Sequence, residues 1–157
     1  MSIKLIAAVA NHNAIGANGD LAFHIPADLK RFKELTTGSV VVMGRKTFES
    51  LPKGALPNRR NIVITRDKNW SAPNVETASS IDEALALTNH DCFIIGGGQI
   101  YAEIINRAQI LYITRIFEDA IDADTFFPEI PENFLITEIS DTYTAPARYR
   151  FEKFQKK

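Results

Sequence analysis

Short apolar runs rich in β-branched residues alternate with helical patterns up to Asn106, and this alternation restricts the possible folds more than any other feature. The runs predicted as buried strands are Ile3–Ala10, Val40–Met43, Ile62–Thr65 and Phe93–Ile95. The segments predicted as helices are Pro26–Leu35, Lys46–Leu51, Ile81–Leu87 and Gln99–Asn106, the third with a capping box of Ser80 and Glu83. Such alternation indicates an α/β sheet with a parallel portion.

The last third of the chain has a different pattern. Ile110–Ile116, Phe134–Ile139 and Arg148–Phe154 have the composition of strands, and no helical pattern separates them. Without crossover helices, neighbours among these strands should pair antiparallel. We therefore expect a single α/β domain over residues 1–157, with a central mixed sheet, mostly parallel with an antiparallel C-terminal part, flanked by about four helices.

Charge and cysteine content exclude several kinds of partner. The chain has 157 residues, a net charge of -1 and one cysteine, Cys92, so we expect no disulfide, no nucleic-acid partner and no anionic membrane surface. No Cys/His cluster has the spacing of metal ligands, so we expect no metal. The apolar start is too short for a convincing signal peptide and no stretch could span a membrane; we expect a cytoplasmic protein.

Three of the predicted parallel strands run directly into polar or glycine-rich turns. These turns are Gly44-Arg45-Lys46-Thr47, Thr65-Arg66 and Gly96-Gly97-Gly98. Ligands of open α/β sheets bind at the carboxyl ends of strands, where helix N-termini offer free N–H groups to phosphates. Two of the turns carry arginine, so the pattern predicts a phosphate-bearing ligand.

Asp28 is an acid on the apolar stripe of the first predicted helix. At roughly 100° per residue, Phe32 lies about 40° and Leu35 about 20° from Asp28, whereas Lys30 and Glu34 lie on the far side. One interpretation is that Asp28 only stabilises the helix N-terminus. The other is a carboxylate facing an apolar cavity, where burial raises its pKa and a ligand with paired N–H donors would compensate its desolvation.

Several motifs, weak singly, occur together in a specific order and spacing. They are Ile6-Ala7-Ala8, Ala14-Ile15-Gly16, Ile25-Pro26-Ala27-Asp28-Leu29, Val42-Met43-Gly44-Arg45-Lys46-Thr47-Phe48-Glu49-Ser50-Leu51, Leu56-Pro57-Asn58-Arg59, Ile95-Gly96-Gly97-Gly98-Gln99-Ile100-Tyr101, Leu111-Tyr112-Ile113-Thr114 and Asp124-Thr125-Phe126-Phe127-Pro128. In this combination the sequence resembles the dihydrofolate reductase family nearly from end to end.

The resemblance implies hydride transfer from NADPH to C6 of dihydrofolate, with a proton added at N5. Asp28, Phe23 and Leu21 would form the catalytic group. Asp28 would bind the 2-amino and N3 groups of the pterin and favour the N5-protonated substrate electrostatically, while a water delivers the proton. The other partners implied are antifolate-type inhibitors, and we expect a monomer.

The substrate site implied by the resemblance combines apolar walls with a few polar groups. Arg59 matches the arginine that binds the α-carboxylate of the substrate's glutamate through a planar bidentate contact, and Thr114 matches the residue that bonds the Asp28 carboxylate and the pterin amino group through water. The implied substrate-binding residues are Ile6, Ala7, Ala8, Asp28, Leu29, Phe32, Leu51, Arg59, Ile95, Tyr101 and Thr114.

The implied cofactor site uses the three turns. Arg45, Thr65 and Arg66 would surround the adenosine 2′-phosphate, which favours NADPH over NADH. The peptide bond Gly96–Gly97 would be cis, as in the family. The implied cofactor-binding residues are Ala8, Ile15, Gly16, Asn18, Gly44, Arg45, Lys46, Thr47, Thr65, Arg66, Gly97, Gly98, Gln99, Ile100 and Thr125.

The chain departs from the family's usual pattern in the loop that covers the site. Phe23 stands where tryptophan is usual and Ala22 where proline is usual. Phenylalanine cannot donate to the water near Asp28, so proton delivery is slower or arranged differently, with His24 as one candidate and a solvent-facing role for His24 as the simpler reading. Ala22 and Gly19 would loosen the loop.

Three other readings stay open on sequence alone. A reductase for another pterin or a pyrimidine intermediate, such as that of riboflavin synthesis, would share the cofactor site, but Asp28 with Arg59 favours folate. A non-enzymatic nucleotide-binding module is favoured only by Phe23. A purely structural domain does not explain an acid on an apolar stripe.

Overall fold

A computed structural model describes residues 1–157 as an eight-stranded sheet, a three-stranded sheet and four α-helices. The strands are β1 Ile3–Val9, β2 Ala14–Ala17, β3 Asp20–Leu21, β4 Val40–Gly44, β5 Arg60–Ile64, β6 Val75–Ala78, β7 Cys92–Gly96, β8 Ile110–Ile116, β9 Thr125–Phe126, β10 Phe134–Ile139 and β11 Tyr149–Lys156. The helices are α1 Pro26–Thr36, α2 Arg45–Glu49, α3 Ile81–Ala86 and α4 Gly98–Ile104.

The large sheet has the order β10-β11-β8-β1-β7-β4-β5-β6. All pairs from β8 to β6 are parallel, because helices or long connections return the chain to the same edge. The pairs β8–β11 and β10–β11 are antiparallel. The predicted fold class, a mainly parallel sheet with an antiparallel C-terminal part and about four helices, is confirmed.

Alternation of side chains along the strands gives the sheet two buried faces. On one face, a cluster of 23 buried residues includes Leu5 and Leu111 of the sheet together with apolar residues of α3 and α4. On the other face, Ile6, Met43 and Phe93 form a smaller cluster with Phe32 of α1 and Phe48 of α2. The helix that carries Asp28 is therefore on the less completely covered side of the sheet.

The structure corrects several element assignments made from the sequence. It adds β6 at the sheet edge and the short strands β2, β3 and β9, none of which has an apolar run long enough to be recognised. Helix α2 ends at Glu49, and α4 continues into a 3-10 turn at Ile105–Arg107. The capping box forms in part, because Ser80 Oγ accepts from the Glu83 N–H at 3.1 Å while the Glu83 carboxylate bonds to Ser79.

No helix of the chain is both long and apolar enough to cross a membrane.

Burial predicts very different costs for one substitution at two strand positions. Leu111 on β8 is 0% exposed and Leu135 on β10 is 52% exposed. Leu111→Ala should lower the free energy of unfolding by about 2–5 kcal/mol, because it leaves a cavity in the large cluster. Leu135→Ala should change it by less than about 0.5 kcal/mol. Urea denaturation of both variants tests this, and equal losses would contradict the assignment of β8 to the interior.

Candidate functional site

Asp28 makes its contact with the sheet and does not cap its own helix. Helix α1 begins with Pro26 at its first position, and the residue before it, Ile25, provides no side-chain cap. The Thr114 hydroxyl of β8 donates to Asp28 Oδ1 at 2.5 Å. Thr114 is the one hydrogen-bonding partner that acts on the carboxyl group, which leaves the remaining acceptor positions of the carboxylate available to a ligand.

The surroundings of Asp28 favour its neutral form more than water does. Burial raises the pKa of Asp28, and the Thr114 hydrogen bond and the charge of Arg31 oppose this shift without cancelling it. Tyr101 of α4 lies nearby and donates its hydroxyl to the Ile6 carbonyl at 2.6 Å. Burial, together with the charge of Asp28, raises the pKa of Tyr101, so its hydroxyl remains a donor at neutral pH.

A cation lies beside the other end of α1. Arg59 Nη1 donates to Thr36 Oγ1 at 3.1 Å, its Nε donates to the Pro57 carbonyl at 2.9 Å, and its Cζ is 5.9 Å from the centre of the Phe32 ring. Burial lowers the pKa of Arg59, which nevertheless stays charged. At a rise of about 1.5 Å per residue, Asp28 and Thr36 are about 12 Å apart along the helix axis.

The neighbouring arginine is used differently. Arg60 makes a two-point contact with the Glu76 carboxylate, at 2.5 Å and 2.7 Å. No acid pairs with Arg59 in this way. Its two hydrogen-bond acceptors are the Thr36 hydroxyl and the Pro57 carbonyl. The charge of Arg60 is therefore neutralised by an acid, whereas the charge of Arg59 remains available to an anion. The sequence alone does not distinguish these two neighbouring arginines.

The first and third phosphate-type turns lie against each other. A side chain at Gly96 would meet Thr47 Oγ1 at 3.0 Å, and one at Gly44 would meet Ile100 at 3.5 Å. Gly96 also has a φ of 141°, which disfavours any other residue. The peptide bond Gly96–Gly97 is cis, as the resemblance implied.

Arg45 provides the observation that tests whether these turns suit a phosphorylated ligand. Its Nε is buried without a hydrogen-bond partner, although Glu49 Oε1 is 3.5 Å away. Its Nη1 is 3.5 Å from Asp67 Oδ2, and its Cζ is 5.5 Å from the centre of the Trp70 ring. Arg66 is exposed on the adjacent loop. An unsatisfied buried donor, with a second arginine on the loop after the neighbouring strand, fits an anionic group, so the turns suit NADPH.

The segment that the resemblance places over the site is a hairpin held by a residue of a distant loop. Strands β2 and β3 are joined by Asn18 and Gly19, with φ of 53° and 77°, and β9 pairs with β2. Asp124 holds the turn, because Oδ2 accepts from the Asn18 N–H at 3.0 Å and its own N–H donates to the Gly16 carbonyl at 3.0 Å. This contact of Asp124 could not be predicted from the sequence, because it joins residues 106 positions apart.

The side chains of Leu21, Phe23 and His24 form no hydrogen bond with the Asp28 carboxylate. Phe23 is half-buried and packs against a cluster that includes Ile25 and Tyr149. His24 is exposed, with Nε2 3.0 Å from Asp20 Oδ2, which agrees with the simpler, solvent-facing reading of His24. Leu21 is 42% exposed. A direct part for His24 at the carboxylate has no structural support.

The other predicted site residues differ in exposure. Those that are half-buried or buried are Ile6, Ala8, Ile15, Gly16, Thr47, Leu51, Thr65, Ile95, Gly97, Gly98, Ile100 and Thr125. Those that are exposed are Asn18, Leu29, Lys46 and Gln99. The side chains of Ala7 and Ile15 belong to the large cluster, and Ala7 alternates along β1 with Ile6 and Ala8, which point to the other face.

Together, the fold and the site define a protein of the α/β class with a candidate ligand site at the carboxyl ends of parallel strands. The model of the family described as dihydrofolate reductase matches residues 2–156. Dihydrofolate reductase type 3 of Salmonella typhimurium is 51% identical over 132 residues, covering 82% of this chain and 80% of the relative. Dihydrofolate reductase of Neisseria meningitidis is 46% identical over 132 residues, covering 83% and 81%.

A solved structure agrees with these matches. Dihydrofolate reductase from Enterococcus faecalis, complexed with NADP(H) and RAB-propyl, has a TM-score of 0.91 at 32% identity and covers 99% of this chain and 96% of its own. The chain belongs to the dihydrofolate reductase family. The predictions of an oxidoreductase with NADPH as cofactor are thereby confirmed.

The raised pKa of Asp28 implies that the negative charge of its carboxylate lowers the stability of the fold at neutral pH. Asp28→Asn should raise the free energy of unfolding at pH 7 by about 0.5–2 kcal/mol, because it removes a partly desolvated charge and leaves the contact with Thr114 possible. A raised carboxyl pKa contributes stability below the ordinary value of 3.8, and that contribution is lost as pH rises through the pKa in the fold. The advantage of the variant should therefore disappear in acid.

Urea denaturation between pH 3 and pH 8 measures this difference. Glu34→Gln, which removes an exposed acid from the same helix, is the matched control and should change stability by less than about 0.5 kcal/mol at each pH. A destabilised Asp28→Asn at pH 7 would contradict the unfavourable burial of the charge.

Proposed function

We propose that the chain reduces 7,8-dihydrofolate to 5,6,7,8-tetrahydrofolate with NADPH. The observation that carries this proposal is the arrangement along α1, where the Asp28 carboxylate, the Phe32 ring and the Arg59 guanidinium follow one another. Dihydrofolate has a pterin with paired N–H donors at one end, an aromatic linker and a glutamate at the other end. The order of polar and apolar groups on the helix matches the order in this substrate.

Asp28 would recognise the pterin through hydrogen bonds from its 2-amino and N3 groups. A carboxylate that uses one acceptor position on Thr114 retains enough positions for two parallel N–H donors. Its negative charge in a low-dielectric site would also favour the N5-protonated form of the substrate. In this role Asp28 anchors the substrate and biases its protonation, while a water delivers the proton.

Arg59 would bind the α-carboxylate of the glutamate. Its tethers to Thr36 and Pro57 fix the direction of the guanidinium, so little conformational entropy remains to be lost on binding. Phe32 contacts this guanidinium and would also pack on the benzoyl linker.

When bound, NADPH would supply the hydride for C6. Gly44, Thr47, Gly97 and Gly98 line the two adjacent turns that would hold its phosphates. Arg45 and Arg66 would bind the 2′-phosphate. The β2–β3 hairpin, whose turn is hydrogen-bonded to Asp124, would exclude water from the nicotinamide and pterin rings.

Phe23 changes how the proton can reach N5. A phenylalanine ring next to the cleft cannot donate to a water, so the ordering of that water would depend on Asp28 and Thr114. We expect proton delivery to be slower than in a chain with an indole at this position.

The remaining expectations from the sequence are part of this proposal. The product would enter one-carbon metabolism and support thymidylate synthesis, antifolate-type molecules would compete at the Asp28 end of the cleft, and the protein would act as a cytoplasmic monomer. Following NADPH oxidation by absorbance, with and without dihydrofolate, across pH, tests the activity itself. No oxidation dependent on dihydrofolate at any pH would refute the proposal.

Asp28→Asn should fold but lose most of its turnover at pH 7, by about 10²-fold or more, because the electrostatic bias toward protonated N5 is lost. Activity should recover in part in acid, since more substrate is then protonated in solution. The pH profile of kcat tests this, with Glu34→Gln as the control for loss of a charge on α1. Equal turnover of Asp28→Asn and the wild type at pH 7 would remove Asp28 from the mechanism.

Arg66→Ala should raise the KM for NADPH by about tenfold and that for NADH by less than about twofold, because one charge-assisted contact to the 2′-phosphate disappears. Steady-state kinetics with both cofactors measures the ratio. Arg107→Ala removes an exposed arginine paired with Asp82 and should leave the ratio unchanged. If Arg66→Ala also leaves it unchanged, Arg66 does not contact the 2′-phosphate.

A further inference from the structure

Arg31 is a cation one helical turn after Asp28 that has no role so far. Residues three positions apart on a helix lie on the same side, so Arg31 and Asp28 both face the sheet. The side chain of Arg31 is half-buried. Its positive charge attracts the Asp28 carboxylate, but Arg31 does not hydrogen-bond to that carboxylate.

The position of Arg31 is determined by aromatic rings and a backbone carbonyl. Its Cζ is 4.6 Å from the centre of the Phe151 ring and 5.5 Å from that of Tyr112, and its Nη1 donates to the Ile113 carbonyl at 3.5 Å. Rings and a carbonyl attract a guanidinium without neutralising it. These contacts therefore hold the positive charge of Arg31 near the Asp28 carboxylate. No acid forms an ion pair with the Arg31 guanidinium.

The remaining charged and titratable groups around the pair do not replace this charge. Facing Asp28 are Tyr101 from α4 and the uncharged Thr114 from β8. Facing Arg31 are Tyr112 from β8 and Glu138 from β10, and Lys153 of β11 lies 5.6 Å from the centre of the Tyr112 ring. Burial lowers the pKa of Arg31, while Asp28, Tyr112 and Glu138 oppose this, and a guanidinium stays protonated.

We propose that Arg31 is a positioning residue that keeps the Asp28 carboxylate ionised in the pterin site. The proposal rests on the proposed function, in which Asp28 accepts N–H donors from the pterin as an anion. Arg31 opposes the effect of burial without occupying the carboxylate oxygens. A direct ion pair would ionise the acid equally well but would compete with the pterin for the same oxygens.

The measurement is the NMR titration of the Asp28 carboxyl carbon in the full-length protein, assigned by its absence in Asp28→Asn. Arg31→Gln and Arg31→Met remove the charge, and the second keeps much of the apolar length. Both should move the titration midpoint to higher pH. Arg31→Lys, which keeps the charge, should restore at least half of the shift. Lys30→Gln removes an exposed cation from the next position of the helix and should leave the midpoint unchanged.

Binding of dihydrofolate provides the second readout. At alkaline pH, where Asp28 is ionised in every variant, the Kd of Arg31→Met should stay within about threefold of the wild type. On the acid side, the rise in Kd should begin at higher pH in Arg31→Met than in the wild type or Arg31→Lys. A purely structural role would raise the Kd equally at every pH.

Two results would overturn the proposal. One is an Asp28 midpoint that stays in place when the charge is removed, and the other is an equal shift in Arg31→Lys and Arg31→Met. Failure of the proposed function is a different result, namely no NADPH oxidation dependent on dihydrofolate at any pH, and the titration of Asp28 in the free protein does not depend on it.

Discussion

The parallel pairing of β1 with β8 is the constraint on which the site depends. Its register places Ile6 beside Tyr112 and Ala8 beside Thr114, so the side chains that approach α1 come from two adjacent strands at the same height. Thr114 can then reach Asp28, and the Ile6 carbonyl can accept from Tyr101. A slip of one residue in this pairing would turn Thr114 to the opposite face and remove the partner of the acid.

The buried Glu152 and the half-buried Asp28 differ in how completely the protein compensates their desolvation. Glu152 is 2% exposed and is paired with Arg115 at 3.2 Å and with Arg150 at 2.8 Å. Both of its oxygens are occupied, as expected for an acid that only has to be stable where it is. Asp28 has one hydroxyl and a cation at a distance. Its burial is incompletely compensated by the protein, and this deficit is what a ligand with N–H donors can supply.

Much of the fold followed from apolar patterning, because strands buried on both faces have continuous β-branched runs. Strands β8 and β10 have the predicted bounds. The strands that were not predicted are short or lie at an edge, as in β6, where two of four side chains are exposed, and their pairing depends on distant segments. The helical periodicity correctly predicted that Asp28 lies on the buried face of α1. It did not predict that Thr114 of β8 would be the hydrogen-bond partner of Asp28.

The site contacts that the sequence did not reveal are those between residues far apart in the chain. Asp124 contacts a turn that precedes it by over a hundred residues, and Asp67, which follows β5, lies 3.5 Å from Arg45, which follows the neighbouring strand β4. Arg31 could have been found, since the same helical wheel places it about 60° from Asp28. Its significance depends on Phe151, a residue near the other end of the chain.

The stiffness of α1 also limits how such a chain can vary in length. One residue inserted between Asp28 and Thr36 would rotate the two ends by about 100° relative to each other and separate them by about 1.5 Å more. Either the acid or the anchor of Arg59 would then leave the cleft. Insertions and deletions should therefore be tolerated in the turns around Gly54 or Asp141, which are partly or fully exposed, and not in the first helix. The length of this helix thus sets the length of the ligand that can contact both Asp28 and Arg59.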